Sequence, residues 1–242
     1  MPQNQHDIIS IKNLVFSYSN TPSFTLTIDE LSIKKQRHVF LEGPSGTGKS
    51  TLLNLLTGLI QPNQGNINIL QTSINTLPRH AVDTFRVDHF GIIFQMFNLI
   101  PYLSVIENIM LPCTFSKRRL RNAQLHGTTI NDEALRLCHA LDISHDIQHT
   151  PVSKLSIGQQ QRTAIARSLI GKPDIIIADE PTSALDQHRK NRFIDLLFTE
   201  CETYGATLIF VSHDHTLKHH FKSVIHIDQL NKTPIMDTKN CH

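Results

Sequence analysis

The strongest constraint on the fold of this chain is the segment Gly43-Pro44-Ser45-Gly46-Thr47-Gly48-Lys49-Ser50, which continues into Thr51. It follows the apolar run 38–41 and precedes the apolar run 51–56, which predicts a strand, a glycine-rich loop and a helix in that order. Glycines let successive backbone N–H groups turn toward an anion, and the helix that follows directs its positive dipole end at the same point. Lys49 adds a mobile charge and Ser50 a hydroxyl that can bind Mg²⁺. Residues 43–51 are therefore predicted to bind nucleotide phosphates.

The composition is typical of an intracellular enzyme. The 242 residues are 39% hydrophobic and carry 23 Lys and Arg against 21 Asp and Glu, a balance that favours no nucleic-acid partner. The cysteines lie far apart without a metal-ligand spacing, as expected in a reducing cytosol. No apolar run approaches the roughly 20 residues that span a bilayer, and no charged leader precedes an apolar core at the start. We therefore expect a cytoplasmic chain that is neither secreted nor membrane-spanning.

The apolar pattern predicts an α/β fold with a mainly parallel sheet, an antiparallel β subdomain near the start and one helical insertion. Strands are predicted at 8–18, 24–33, 38–41, 65–70, 91–94, 175–178 and 207–211. Between about 96 and 160 the strand pattern stops, and helical spacing replaces it at 104–110 and 131–141. A single P-loop domain is therefore predicted. Its core is 1–95 and 161–230, its inserted helical lobe is 96–160, and its polar tail is 231–242.

Two carboxylates end the predicted strand 175–178. Asp179 is placed to hold Mg²⁺ opposite Ser50, and Glu180 is placed to orient or deprotonate an attacking water. A strand that ends in two acids is common by chance, so the pair carries weight only together with the loop at 43–51. The two motifs together predict nucleotide hydrolysis.

Several further motifs follow the order found in the ATP-binding subunits of ABC transporters, a family that the chain resembles over nearly its whole length. The segment Leu155-Ser156-Ile157-Gly158-Gln159-Gln160-Gln161-Arg162 is similar to the signature sequence of that family. Residues 183–186 are similar to its D-loop, and Ser212-His213-Asp214 is similar to its switch-histidine motif. Gln95 stands where the family has its lobe-hinge glutamine, and Tyr18 where an aromatic residue stacks on adenine.

The resemblance implies ATP and Mg²⁺ as cofactors and a complete set of site residues. The catalytic residues are Glu180, His213, Lys49 and Gln95. The metal ligands are Ser50, Gln95 and Asp179. The nucleotide contacts are Tyr18, residues 43–51, Ser156, Gly158, Gln159 and Asp186. It also implies a head-to-tail dimer, in which each ATP lies between the phosphate loop of one copy and the signature of the other.

The signature departs from the family at Ile157, where a glycine is usual. Ser156 and Gln159 have the spacing of a capping box, which predicts that a helix begins here. Such a helix start can present N–H groups and a hydroxyl to a phosphate. We expect Gly158 to lie where the phosphate approaches most closely and Ile157 to point away into the lobe. The signature would then remain competent to bind the phosphate. The alternative is a weakened signature.

Residues 94–112 are similar to ATPases of the lipoprotein-releasing and macrolide-exporting group. This implies an integral membrane partner that transmits motion, and a subunit held peripherally on the inner face of the cell membrane. The expected function is an ATPase that dimerises on ATP and powers that partner. The alternative is a soluble ABC ATPase that acts without a permease.

Two features of the predicted lobe leave alternatives open. The apolar residues just after Gln95 form either buried core or an exposed groove for a partner helix, and they are Phe97, Leu99, Ile100 and Tyr102. The basic run 117–121 could contact anionic lipid or nucleic acid, but a short basic run on a helix is usually a solvated face. The solvated face is our expectation.

Overall fold

The computed structural model describes residues 7–18, 21–183 and 187–232, without the side chains of residues 21–23, 126 and 187–189. The chain divides into two compact units, each described here by itself. The first unit comprises Met1–Asp83 and Val211–His242, and the second comprises Thr84–Phe210.

The strands are β1 (Asp7–Tyr18), β2 (Thr21–Lys34), β3 (Val39–Glu42), β4 (Gln64–Ile69), β5 (Thr72–Ser73), β6 (Phe90–Ile93), β7 (Ile175–Asp179), β8 (Thr207–Val211) and β9 (Ser223–His226). The α-helices are α1 (Lys49–Leu56), α2 (Arg79–His89), α3 (Val105–Phe115), α4 (Lys117–Ala123), α5 (Ile130–Ala140), α6 (Ile157–Leu169), α7 (Gln187–Tyr204) and α8 (Ile227–Leu230). Short 3₁₀ helices lie between them, including one at His215–His220. The predicted α/β fold is confirmed.

An antiparallel sheet in the order β2-β1-β4-β5 forms one layer of the first unit. In the central strand β1, Ile11 lies opposite Leu31 of β2 and Ile67 of β4. All three side chains are buried, because alternate residues of each strand point to the same face. The predicted antiparallel subdomain is therefore present.

A parallel pair of strands positions the phosphate loop in the same unit. β3 pairs with β9 along its whole length, from Val39 opposite Ser223 to Glu42 opposite His226. Every residue of β3 is buried, whereas every residue of β9 is only half-buried. β3 was predicted from its apolar run, and β9 has no such run and was not predicted.

Parallel strands and helices form the second unit. β6 pairs with β7, with Phe90 opposite Ile175 and Ile93 opposite Ala178, and β8 lies on the other side of β7. These strands are rich in buried isoleucine, as expected for parallel strands that are covered on both faces. Helix α3 packs against both α5 and α6. Among the helices within 7–18, 21–183 and 187–232, none combines the length and apolar character that crossing a membrane requires.

The basic run 117–121 differs from its predicted solvated face at Arg119. This side chain is only 3% exposed, because its guanidinium turns inward from α4. It donates to the carbonyl oxygens of Ile170 at 2.8 Å, Ser168 at 2.7 Å and Phe90 at 3.2 Å. Burial lowers the pKa of Arg119 to about 10, which still leaves it charged at neutral pH. Arg119 therefore binds carbonyl groups at the end of α6, whose final carbonyls have no partner within the helix.

Candidate active site

The phosphate loop begins where β3 ends, and its glycines are required by space and by backbone angle. A Cβ on Gly43 would lie 2.4 Å from Cγ2 of Ile227 and 2.9 Å from Oγ1 of Thr47, too close for any side chain. Gly46 has φ +82° and Gly48 has φ +104°, in the left-handed region that favours glycine. No other atom lies within 4 Å of a Cβ built on Gly46, so the tip of the loop is open.

The start of α1 offers donors that suit a phosphate. Its N-cap is Gly48. In this described segment no side chain caps the helix, and the first turn contains no acidic residue. The N–H groups of the first turn of a helix have no partner inside the helix, and the helix dipole makes this end positive. Lys49 lies over the loop, with Nζ donating to the carbonyl oxygens of Gly43 at 2.5 Å and Pro44 at 2.9 Å. Ser50 is exposed and offers the kind of hard oxygen that Mg²⁺ prefers. The residues present therefore fit a nucleotide with its metal.

Tyr18 lies beside this loop in the first unit. Its hydroxyl is 3.3 Å from Oγ1 of Thr51, the residue that completes the predicted loop. The ring packs edge-on against Phe16, with centroids 4.8 Å apart, and 39% of the residue remains exposed. A partly exposed aromatic ring at this position can stack on a base. Its role as the adenine contact remains a prediction.

The switch-histidine motif follows β8 and also lies in the first unit. Ser212 donates its N–H to the carbonyl oxygen of Leu41 in β3 at 3.3 Å, and its Oγ accepts the N–H of Asp214 at 3.1 Å. Asp214 then caps the 3₁₀ helix His215–His220 by accepting the N–H of Thr216 at 3.0 Å. His213 is exposed between these two anchored residues, one on each side.

The two acids stand at the end of β7 in the second unit, together with Gln95 and the signature. Asp179 is half-buried at the strand end, and its carboxylate is of the oxygen class that binds Mg²⁺. Glu180 has φ +47°, a left-handed conformation that costs a non-glycine residue about 1 kcal/mol or more. Nε2 of Gln161, a buried residue of α6, donates to the carbonyl oxygen of Pro181 at 3.2 Å. The turn that carries Glu180 is thereby bonded to the helix that begins at the signature. The predicted contact Asp186 lies outside the described residues.

The signature forms the capping box that its spacing predicts. Oγ of Ser156 accepts the N–H of Gln159 at 3.3 Å, and the N–H of Ser156 donates to Oε1 of Gln159 at 2.9 Å. Nothing lies within 4 Å of a Cβ built on Gly158, so this helix start is open. Ser156, Gly158 and Gln159 line a cavity of about 530 Å³ with residues of α6 and α7.

The expectation that Ile157 points into the lobe is wrong. Ile157 is 57% exposed and lines the same cavity. It lies one turn before Gln161, on the same helix face. Gln161 is only 5% exposed, whereas Ile157 in the first turn faces the open cavity.

The loop after Gln95 is bonded to α6. Gln95 is exposed two residues after the end of β6, and the next turn contains two left-handed residues, Phe97 with φ +59° and Asn98 with φ +47°. Arg167 of α6 donates to the carbonyl oxygens of both, at 2.5 Å and 2.6 Å. Burial lowers the pKa of Arg167, yet arginine remains charged at neutral pH. Charge-assisted bonds of this kind hold an otherwise unfavourable turn.

The apolar residues of this loop divide between the two alternatives left open by the sequence. Phe97 is 8% exposed, so it belongs to the core. Leu99 and Ile100 are half-buried, and Tyr102 is 78% exposed. Met96, which the sequence did not single out, is 80% exposed. The loop therefore exposes Met96 and Tyr102, and the four predicted residues do not form an exposed groove together.

Sequence reasoning missed three polar residues around the site. Asn108 and Arg167 bind loop carbonyls, and no short motif marks such residues. Glu42 is buried at the end of β3, immediately before Gly43. Its signal was available, since it is a carboxylate at the end of an otherwise apolar strand.

Comparison with known proteins agrees with this geometry. A family model described as ABC transporter matches residues 26–183. The lipoprotein-releasing system ATP-binding protein LolD of Cytophaga hutchinsonii is 37% identical over 188 residues, which are 78% of this chain and 82% of that protein. The uncharacterized ABC transporter ATP-binding protein MJ0796 of Methanocaldococcus jannaschii is 36% identical over 209 residues, 86% of this chain and 87% of that protein.

Two solved structures of MJ0796 share the fold at 32% identity, and each alignment covers 90% of this chain and 93% of that one. One is described as the dimeric structure of a bacterial ABC transporter cassette and has a TM-score of 0.74. The other is described as a dimeric post-hydrolysis state bound to ADP and Pi, with a TM-score of 0.75. With the family model matching well over half of its length, this chain belongs to the ABC transporter ATP-binding family and is an ATPase of the ABC type.

Proposed function

We propose that this chain dimerises on ATP and powers a separate integral membrane protein, to which it binds on the inner face of the cell membrane. The observation that carries the proposal is the exposed pair Met96 and Tyr102 on a loop bonded to α6, the helix that begins at the signature. Similarity to a protein named as the ATP-binding part of a lipoprotein-releasing system supports a membrane partner.

The residues of each unit have separate roles in this proposal. In the first unit, the loop 43–51 binds the phosphates, with Lys49 placing a positive charge against them and Tyr18 stacking on adenine. His213 donates a hydrogen bond to the γ-phosphate. Ser50 of this unit is a predicted Mg²⁺ ligand, as are Gln95 and Asp179 of the second unit, and a bound Mg²⁺ would neutralise phosphate charge.

Residues of the second unit activate the attacking water and contact the partner copy. Glu180 orients the attacking water and accepts its proton, so the γ-phosphoryl group is transferred to water and ADP leaves. Ser156, Gly158 and Gln159 contact the nucleotide held by the other copy. The open helix start at the signature supports this role, because no atom of a neighbouring element lies within 4 Å of a Cβ built on Gly158.

The surface formed by Met96 and Tyr102 is proposed to contact the membrane partner. Large exposed apolar side chains carry much of the binding energy at protein interfaces, about 2 kcal/mol or more for a well-packed anchor. Arg167 bonds this surface to α6, so a movement of the signature helix carries the surface with it.

Purification of a tagged chain from detergent-solubilised membranes tests the proposal. An integral membrane protein should co-purify with the wild type and with the control Leu59→Ser, which removes an exposed apolar residue of the first unit. Recovery should fall at least tenfold for Met96→Ser with Tyr102→Ser, while ATP hydrolysis by the isolated subunit is unchanged. An active wild type that brings down no membrane protein would favour a soluble ABC ATPase instead.

A further inference from the structure

A buried carboxylate stands immediately before the phosphate loop. Glu42 is the last residue of β3, and its side chain is only 4% exposed. It belongs neither to the phosphate-binding segment 43–51 nor to the predicted catalytic residues. A buried carboxylate is costly unless charged or hydrogen-bonding partners surround it.

Basic side chains from two elements face the carboxylate of Glu42. Nζ of Lys218 is 2.8 Å from Oε1, and Nδ1 of His215 is 3.1 Å from Oε2; both residues belong to the 3₁₀ helix His215–His220. Nδ1 of His226, at the end of β9, is 2.7 Å from Oε1. Burial raises the pKa of Glu42, but the hydrogen bonds from Lys218 and His215 and the nearby positive charge outweigh it, and the net pKa is lowered. Glu42 is therefore ionised at neutral pH.

These contacts join two segments of the site. Glu42 immediately precedes Gly43, and the 3₁₀ helix that carries His215 and Lys218 begins two residues after His213. His213 itself is exposed. The contacts with Glu42 thus fix the C-terminal end of the short turn that contains His213.

We propose that Glu42 is a positioning residue for ATP hydrolysis, which holds the turn of His213 in register with the phosphate loop through Lys218. The inference rests on the proposed contact between His213 and the γ-phosphate. It predicts a separation of effects: nucleotide binding depends on the loop 43–51 and survives, whereas turnover depends on His213 and falls. A small misplacement of a catalytic group can reduce the rate by about 10²-fold.

Lys218→Met and Glu42→Gln test the proposal with the full chain. Each should lower kcat at least fivefold while the affinity for ATP, measured with a fluorescent ATP analogue, stays within twofold. The double variant should be no slower than the slower single variant, because both remove the same contact. Lys218→Arg keeps the charge and should restore most of the activity. Lys222→Met removes an exposed lysine just beyond the same 3₁₀ helix and should match the wild type.

His213→Ala, measured in parallel, separates the two layers of the argument. If His213→Ala hydrolyses ATP normally, the proposed role of His213 is wrong. If His213→Ala is inactive but Lys218→Met and Glu42→Gln keep wild-type kcat, the positioning role of Glu42 is overturned. Equal losses of kcat and ATP affinity would also overturn it.

Discussion

Replacing Asn108 should destabilise the loop that carries the proposed membrane-partner surface. Asn108 is fully buried in α3, and its Oδ1 accepts the N–H of Ile100 at 2.8 Å. Its Nδ2 donates to the carbonyl oxygens of Ile100, Leu103 and Ser104 at 3.0 to 3.1 Å. The two N–H groups of Nδ2 are shared among these three carbonyls, so Asn108→Ala loses the equivalent of three hydrogen bonds. At a net of about 1 kcal/mol for each bond, the free energy of unfolding falls by about 3 kcal/mol.

Urea unfolding followed by far-ultraviolet circular dichroism measures this loss. For a chain of this size, about 3 kcal/mol corresponds to a fall in Tm of about 9 °C. Asn131→Ala, at an exposed position of α5, is the matched control and should change the free energy by less than about 0.5 kcal/mol.

Asn108→Asp sharpens the test by changing charge at nearly constant shape. The new carboxylate would face three carbonyl oxygens, which raises its pKa in the folded state above that of the unfolded chain. A raised folded pKa gives a stabilising contribution that is present at low pH and lost as pH rises through it. The variant should therefore be nearer the wild type at pH 4.5 than at pH 7. A loss below about 1 kcal/mol in Asn108→Ala, or no pH effect in Asn108→Asp, would refute the reasoning.

Three further outcomes are expected. Glu180→Gln should bind ATP and persist as a dimer in size-exclusion chromatography with Mg-ATP, while steady-state hydrolysis falls by about two orders of magnitude or more. Gly158→Asp should fold normally, since the position is open, but should not dimerise on ATP, whereas Ile157→Gly should be mild in both assays. The lowered pKa of Glu42 means that its ion pairs stabilise the fold above the ordinary glutamate pKa and that this contribution is lost as pH falls through the lowered value. The difference in unfolding free energy between wild type and Glu42→Gln should therefore shrink from pH 6 to pH 3.5.

The sequence predicted those parts of the fold that depend on local pattern. Continuous apolar runs located β3, β7 and β8, because a strand buried on both faces needs apolar side chains throughout. The capping-box spacing of Ser156 and Gln159 located the start of α6 within one residue. β9 escaped prediction because each of its residues is half-buried and its place is set by pairing with β3.

The exposure of individual site residues depends on tertiary context, which local pattern does not contain. Phe97 and Tyr102 lie on one apolar stretch, yet Phe97 is core and Tyr102 is exposed, because Arg167 and Asn108 fix the turns between them. Arg119 shares its basic run with exposed neighbours but turns toward carbonyl groups about 50 residues later in the chain. Such partners are distant in sequence, so charge pattern alone cannot identify them.

The pairing of β3 with β9 also affects the order in which the chain can acquire its function during synthesis. Val39 pairs with Ser223, about 180 residues later, and Ile227 fills the space beside Gly43. The side chain of Asn231 then bonds to the backbone of Thr27 in β2. A growing chain emerges from the ribosome at about 5–20 residues per second. The phosphate loop is therefore synthesised many seconds before the segment that supports it. The nascent chain should therefore bind a nucleotide tightly only after residues 223–231 have emerged. ATP binding is thus delayed until nearly all of the fold can form.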